Sequence, residues 1–315
     1  MLAALALFAG ALALLLVAAR FFTGAAERIG LLLGMSPFVV GVFIVAIGTS
    51  LPELVASLLA VKAGTSEIVA GNVLGANTAN LLMILGAVAV AATGRVALGE
   101  QYLMIDLNFL VGSAFMVGVT MWDGAVGTVE GLLLLGAYLV YVVYLVREGR
   151  TATADAAAAD TLPAASRRLA LDVLALVGSG VLIYFGGDFT VSALERLAGE
   201  LAISPAVASV TILSIGTTLP ELAVSVTAAR KGQAALAVGN ILGSCIFNAF
   251  TVTGAAAVAG GVVVPSALTT LALPFTLGAS LLFYLLAQDK LISRWEGLLF
   301  LVLFALFVTK TAGLA

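Results

Sequence analysis

The chain has 315 residues, 62% of them hydrophobic and 10% charged, with a formal net charge of −3. Soluble domains are about a quarter charged, so this composition, with a mean hydropathy of +1.20, excludes an ordinary soluble protein, and no basic cluster points to nucleic acid. A single cysteine, Cys245, and the lack of histidine exclude an intrachain disulfide, a His/Cys zinc site and a His-based proton relay.

A bilayer-crossing helix needs roughly 20 mostly apolar residues. Ten runs qualify: 2–22, 38–62, 67–91, 102–120, 125–146, 169–196, 206–230, 235–259, 267–286 and 293–312. The first lacks a basic region ahead of it and ends in Ala19-Arg20-Phe21, a poor cleavage site, so it reads as a span and not as a signal peptide. Residues 147–168 differ, with Arg147, Arg150, Asp155, Asp160, Pro163, Arg167 and Arg168 among Ala and Thr, and read as a polar linker. The expectation is an all-α integral membrane protein of ten transmembrane helices, divided into 1–146, the linker 147–168, and 169–315. With the N-terminus on one side, 11 of the 14 Lys and Arg residues fall on the opposite side. Positive charge marks the cytoplasmic face, so both termini are expected outside and the linker inside, in a cell inner or plasma membrane. Trp122 and Trp295, near span ends, fit interfacial anchors.

The chain repeats itself at an offset of 168. Ile47-Gly48-Thr49-Ser50-Leu51-Pro52-Glu53-Leu54 falls on Ile215-Gly216-Thr217-Thr218-Leu219-Pro220-Glu221-Leu222. Ser36-Pro37, Gly71-Asn72, Gly75 and Asn80 fall on Ser204-Pro205, Gly239-Asn240, Gly243 and Asn248. Five spans per half is an odd number, so the second copy is inverted. Inverted repeats with a site at mid-membrane are a common architecture of secondary transporters.

Both copies set Gly and Pro close together inside an apolar span, which interrupts helical hydrogen bonding. Glu53 and Glu221 follow directly, and a carboxylate at membrane depth is costly unless it has a function. The next spans carry Asn72, Ala76, Asn77 and Asn80 in one half, and Asn240, Ser244 and Asn248 in the other. Small residues here also suit close helix packing. Asp106 and Asn108, early in the fourth span and without repeat mates, read as a polar span entrance, and Cys245 as a packing residue. The site offers carboxylates, amides, the hydroxyls of Thr49, Ser50, Thr217, Thr218 and Ser244, and freed carbonyls. An all-oxygen set suits hard cations such as Ca2+ and Na+, and competition for two shared carboxylates would couple their movements.

These paired motifs resemble the two α-repeats of the sodium/calcium exchanger family, over essentially the whole chain. The resemblance implies that Glu53 and Glu221 are shared ligands of Ca2+ and Na+. It also implies ligation by Thr49 and Thr217, Na+ sites lined by Ser50 and Thr218 and completed by the carbonyls of Ala46 and Ser214, and a first and sixth span that slide across a steadier core. Asn80 and Asn248 join the ligand set, with Asn72, Asn240, Ala76 and Asn77 as a second tier. The family pattern has Ser where this chain has Ala76, and some members have Asp where it has Asn248, which leaves H+ or K+ open as the coupling ion. No cofactor is expected; the partners are the transported ions and membrane lipid, and the oligomeric state is open, with a monomer as the simplest case. An antiporter of another cation and an ion channel remain rival readings. An enzyme does not, for lack of a nucleophile–base pair.

Overall fold

A computed structural model of the chain describes residues 2–32, 35, 37–92, 94–98, 103–151, 162–200, 207 and 209–313. Helices lie on all ten predicted runs. They are α1 (Leu2–Leu32), α2 (Val40–Thr49) and α3 (Leu51–Lys62), α4 (Glu67–Ala91), α5 (Leu103–Met121), α6 (Thr128–Thr151) and α7 (Leu162–Glu200). There follow α8 (Ser209–Thr217) and α9 (Leu219–Arg230), α10 (Ala234–Gly260), α11 (Leu268–Asp289) and α12 (Arg294–Ala312). Among the described residues, six helices are long and apolar enough to cross a membrane, and eight spans result if each bent pair counts once. α1 runs ten residues past its predicted end, and α6 and α7 reach into the linker. Ala and Arg are good helix formers, so helix continues where apolar character stops. Ser36, Ser204, Pro205 and the linker centre, 152–161, lie outside the described residues.

The Gly–Pro motifs act as their chemistry dictates. α2 and α3 meet at 42°, and α8 and α9 at 47°. Ser50 (φ −88°, ψ 8°) and Thr218 (φ −83°, ψ 0°) occupy the breaks. Pro52 and Pro220 have no N–H to give the carbonyls of Gly48 and Gly216, yet both suit the first turn of the next helix. π-helical turns also recur by repeat, at Val40–Val45 and Ser209–Leu213, and at Ala79–Ile84 and Asn248–Val252.

The halves interlock. α2 packs on α10 and α8 on α4, and glycine permits both approaches. A Cβ at Gly75 would overlap the Ser214 side chain and the Val210 carbonyl; at Gly243 it would overlap the Val42 carbonyl and Ala46. Farther along, Gly86 meets Gly297 and Gly131 meets Gly254, each with its added Cβ within 3.0 Å of the other's carbonyl oxygen. Two short strand pairs clasp the halves at the surface: β1 (Val96–Ala97) with β4 (Leu291–Ile292), and β2 (Ala125–Val126) with β3 (Val262–Val263), both antiparallel. Val96 pairs with Ile292 and Val126 with Val262, so an offset of 166 maps one clasp onto the other. The helix starts after them match too, Glu130 accepting from the Gly127 N–H at 2.7 Å and Glu296 from the Ser293 N–H at 2.6 Å.

Candidate cation site

Glu53 and Glu221 sit in the first turns of α3 and α9, where the unpaired N–H groups of a helix start favour negative charge. Both are fully buried. Ser50 Oγ donates to Glu221 Oε1 at 2.9 Å across the two halves. Both oxygens of Glu53 and Oε2 of Glu221 lack a hydrogen-bond partner among the described residues. Among the described residues no basic side chain pairs with either, so charge balance at this depth calls for a proton or a cation.

Other predicted groups share this condition. Asn80 and Asn248, inside the π-helical turns, are fully buried with both amide atoms unpartnered, as is the Ser244 hydroxyl. A π turn is frequent at functional positions because it redirects side chains out of the regular helical register. Buried polar atoms are nearly always paired, and so many orphans together mark a place built for a ligand. Each threonine shares its one proton between two acceptors, Thr49 between Val45 O at 3.1 Å and Asn240 Oδ1 at 3.3 Å, and Thr217 between Ser214 O and Asn72 Oδ1, both at 3.3 Å, which leaves hydroxyl lone pairs free. Thr218 donates to Ser214 O at 2.9 Å, unlike its repeat mate Ser50.

The second-tier residues divide. Asn72 and Asn240 are struts. Asn72 donates to the Glu53 carbonyl and to Ser57 Oγ, both at 3.3 Å, and accepts from Thr217 at 3.3 Å. Asn240 donates to Ser225 Oγ at 2.9 Å and accepts from Thr49 at 3.3 Å. Asn77 donates to the carbonyl of its own repeat mate, Cys245, at 3.1 Å. Cys245 is a buried free thiol. Ala76 is buried and offers no side-chain oxygen. The Ala46 and Ser214 carbonyls each accept a backbone N–H, from Ser50 at 3.0 Å and Thr218 at 3.1 Å. The struts Ser57 and Ser225 went unnoticed in the sequence, although the 168 offset pairs them. No group of three or more His, Cys, Asp or Glu able to hold a metal occurs among the described residues; the site's anionic charge is these two glutamates alone.

Asp106 corrects the expectation of a polar span entrance. It is fully buried, and Tyr141 OH donates to its Oδ1 at 2.6 Å. Asn108 is exposed, as a span entrance would be. Trp122 and Trp295 are 74% and 81% exposed, as interfacial anchors require. The side chain of Arg20 lies outside the described residues. Its repeat mate Asp188 lines, with Tyr184, Ser192, Pro52 and Leu213, a cavity of about 230 Å3 between α3, α7 and α8.

A family model described as sodium/calcium exchanger protein matches residues 3–147 and 171–311. A putative antiporter CaxA of Alkalimonas amylolytica is 30% identical over 308 residues, 93% of each chain. The sodium/calcium exchanger MaX1 of Methanosarcina acetivorans is 29% identical over 329 residues, 91% of this chain and 92% of that one. Among solved structures, the sodium-calcium exchanger NCX_Mj soaked with Na+ and Sr2+ superposes with a TM-score of 0.80 at 26% identity, covering 97% of each chain.

Proposed function

The chain belongs to the sodium/calcium exchanger family, and from that premise we propose that it is a secondary antiporter that exchanges Ca2+ for Na+ at the Glu53–Glu221 site. The observation that carries the reading is the set of buried, unpartnered oxygens contributed by both halves: Glu53, Glu221, Asn80, Asn248 and Ser244. Thr49, Thr217, Ser50 and Thr218 complete the ligand set, with the carbonyls of Ala46 and Ser214 joining when ions displace their backbone partners. Two carboxylates balance one Ca2+ or two Na+, so the ions compete and each must leave before the other binds.

Ten spans carry the site, in inverted halves 1–146 and 169–315 joined by a cytoplasmic linker, with both termini outside. The strand clasps support the alternation. Each joins a loop after the third span of one half to a loop before the fifth span of the other, and an inverted ten-span chain puts those loops on one membrane face. The β1–β4 clasp also gathers Arg95, Lys290 and Arg294, in keeping with a cytoplasmic face. Arg294 adds a bond to the Ala92 carbonyl at 3.2 Å.

Access alternates through α1 and α7. These helices share a small apolar cluster, Ala18, Phe22 and Ile183, apart from the main core, and Phe22 lies directly against Gly48 at the α2–α3 break. Sliding them would uncover that break on one face and cover its mate on the other. The test is 45Ca2+ uptake into Na+-loaded proteoliposomes diluted into Na+-free buffer. Uptake should require the outward Na+ gradient. Uptake driven only by a pH or K+ gradient would replace the coupling ion, and a single-channel current would replace the mechanism.

A further inference from the structure

The cavity between α3, α7 and α8 has one charged residue in its lining, Asp188. Tyr184, Asp188 and Ser192 stand four residues apart on α7, so they share one face of that helix, and all three line the cavity. The facing walls are mostly apolar, with Val55, Leu59 and Leu213. Asp188 lies two residues beyond the apolar stretch Leu169–Gly186, which puts its charge at the outer edge of the membrane in the orientation proposed above. It is exposed and carries no hydrogen bond or ion pair among the described residues. The cavity runs the length of α3, from Thr65 beyond its end to Pro52 at its start, next to Glu53. The 168 offset puts Arg20 at the equivalent place in the first half, so this carboxylate is peculiar to the second half.

We propose that Asp188 is the entry residue for Ca2+ on the outer face: its carboxylate, flanked by the Tyr184 and Ser192 hydroxyls, collects the ion at the mouth of this cavity on its way to Glu53. The inference rests on the Na+/Ca2+ reading of the site and on the orientation given with it. A cleft with one sign of charge and low-dielectric walls concentrates counter-ions and raises their on-rates by about tenfold to a thousandfold, an effect that salt removes. Here a single charge faces apolar walls, so the lower end of that range applies. Enrichment is exponential in the charge of the ion, so a potential that concentrates Na+ about threefold concentrates Ca2+ about ninefold. One residue thereby favours the divalent ion before either reaches the buried oxygens. Asp188 is a stopping place and not a second resting site. Ca2+ takes roughly six to eight oxygens, and one acid with two hydroxyls leaves most of them to water. The cavity, about 230 Å3 in volume, has room for that water at about 30 Å3 per molecule.

The experiment measures 45Ca2+ uptake into Na+-loaded, right-side-out membrane vesicles carrying wild type, D188N, D188E or D188C, with outer Ca2+ varied and vesicles without the protein as background. D188N and D188C should raise KM for outer Ca2+ about threefold to tenfold with kcat unchanged, and D188E should stay near wild type. The gap should close as choline chloride rises from about 10 mM to about 150 mM, because the Debye length shrinks from about 30 Å to about 8 Å. D188C is then charged from outside with membrane-impermeant methanethiosulfonates; the native thiol, Cys245, is buried, and reagent-treated wild type is the control. A sulfonate reagent should lower KM toward wild type, and a trimethylammonium reagent should raise it further. An unchanged KM in D188N overturns the proposal, as does a loss confined to kcat, or two reagents that shift KM in the same direction. If wild-type uptake answers only to a pH or K+ gradient, the Na+ coupling fails and the KM comparison still decides the role of Asp188; absence of Ca2+ uptake under every gradient sinks both.

Discussion

The two halves share a backbone and diverge in side chains, and the difference separates what the site needs twice from what it needs once. Bends, π-helical turns, glycine crossings, clasps and the struts Asn72–Ser57 and Asn240–Ser225 recur at one offset or the other. Both glutamates recur. The Asn77–Cys245 crossing, Ala76 against Ser244, Ala46 against Ser214, and Asp106 do not. Backbone geometry that exposes oxygen at membrane depth is hard to build, so duplication preserves it. Individual ligands are cheap to change, and exchange of unlike ions gives a reason to change them.

The largest expected effect tests the symmetric part. Glu53→Gln and Glu221→Gln keep shape and remove charge, and each alone should reduce 45Ca2+ uptake to background. A variant that kept substantial uptake would make the halves functionally unequal at their most similar point. Next come Gly75→Val and Gly243→Val. Both drive a side chain into a backbone carbonyl, an overpacking cost of roughly 3 kcal/mol or more where nothing can yield. Folded protein recovered by size exclusion should fall alike for both, and a tolerant Gly75 with an intolerant Gly243 would break the symmetry.

Smaller effects follow from the struts. Asn72→Ala and Asn240→Ala each remove bonds to a neighbouring helix of the same half and one bond that joins the halves, and buried bonds between membrane helices are worth about 0.6 to 1.7 kcal/mol. Unfolding temperature should drop and the Ca2+ midpoint weaken in both; loss of Ca2+ binding with no thermal change would instead make them ligands. The smallest effect is expected from Tyr141→Phe, which removes the bond to Asp106 that has no mate in the second half. It should lower stability by about 1 kcal/mol and leave the Na+ and Ca2+ midpoints unchanged. A shifted ion midpoint would make Asp106 part of transport.

Much of this was legible in the sequence, for identifiable reasons. Apolar runs marked every helix, because a span must be apolar along its length. Gly48, Pro52, Gly216 and Pro220 marked the breaks, because only those residues change the backbone's own bonding. The π-helical turns were not legible: residues 79–84 and 248–252 contain nothing that distinguishes an i→i+5 turn from an α turn, and the wider turn is settled by what packs on it. Strands of two residues, such as Val96–Ala97, are too short for any periodicity. Asp106 misled because position along the span suggested water, whereas its fate was decided by Tyr141, 35 residues away. For Asn72 and Asn240 the residue type alone does not set the task. An amide can bind an ion or brace a neighbour, and only the distances to Ser57, Thr217, Ser225 and Thr49 choose.

The clasps have a consequence for how the protein is assembled. Among the described residues, each half follows its third span with a strand that pairs with the turn before the other half's last helix, so each copy is an incomplete object that its sibling finishes. A single copy alone would leave both of its strands without the partners they have here. The present chain completes both clasps within a single molecule. A protein cut in the linker should therefore recover exchange when its two pieces are made together, and lose it when either is made alone.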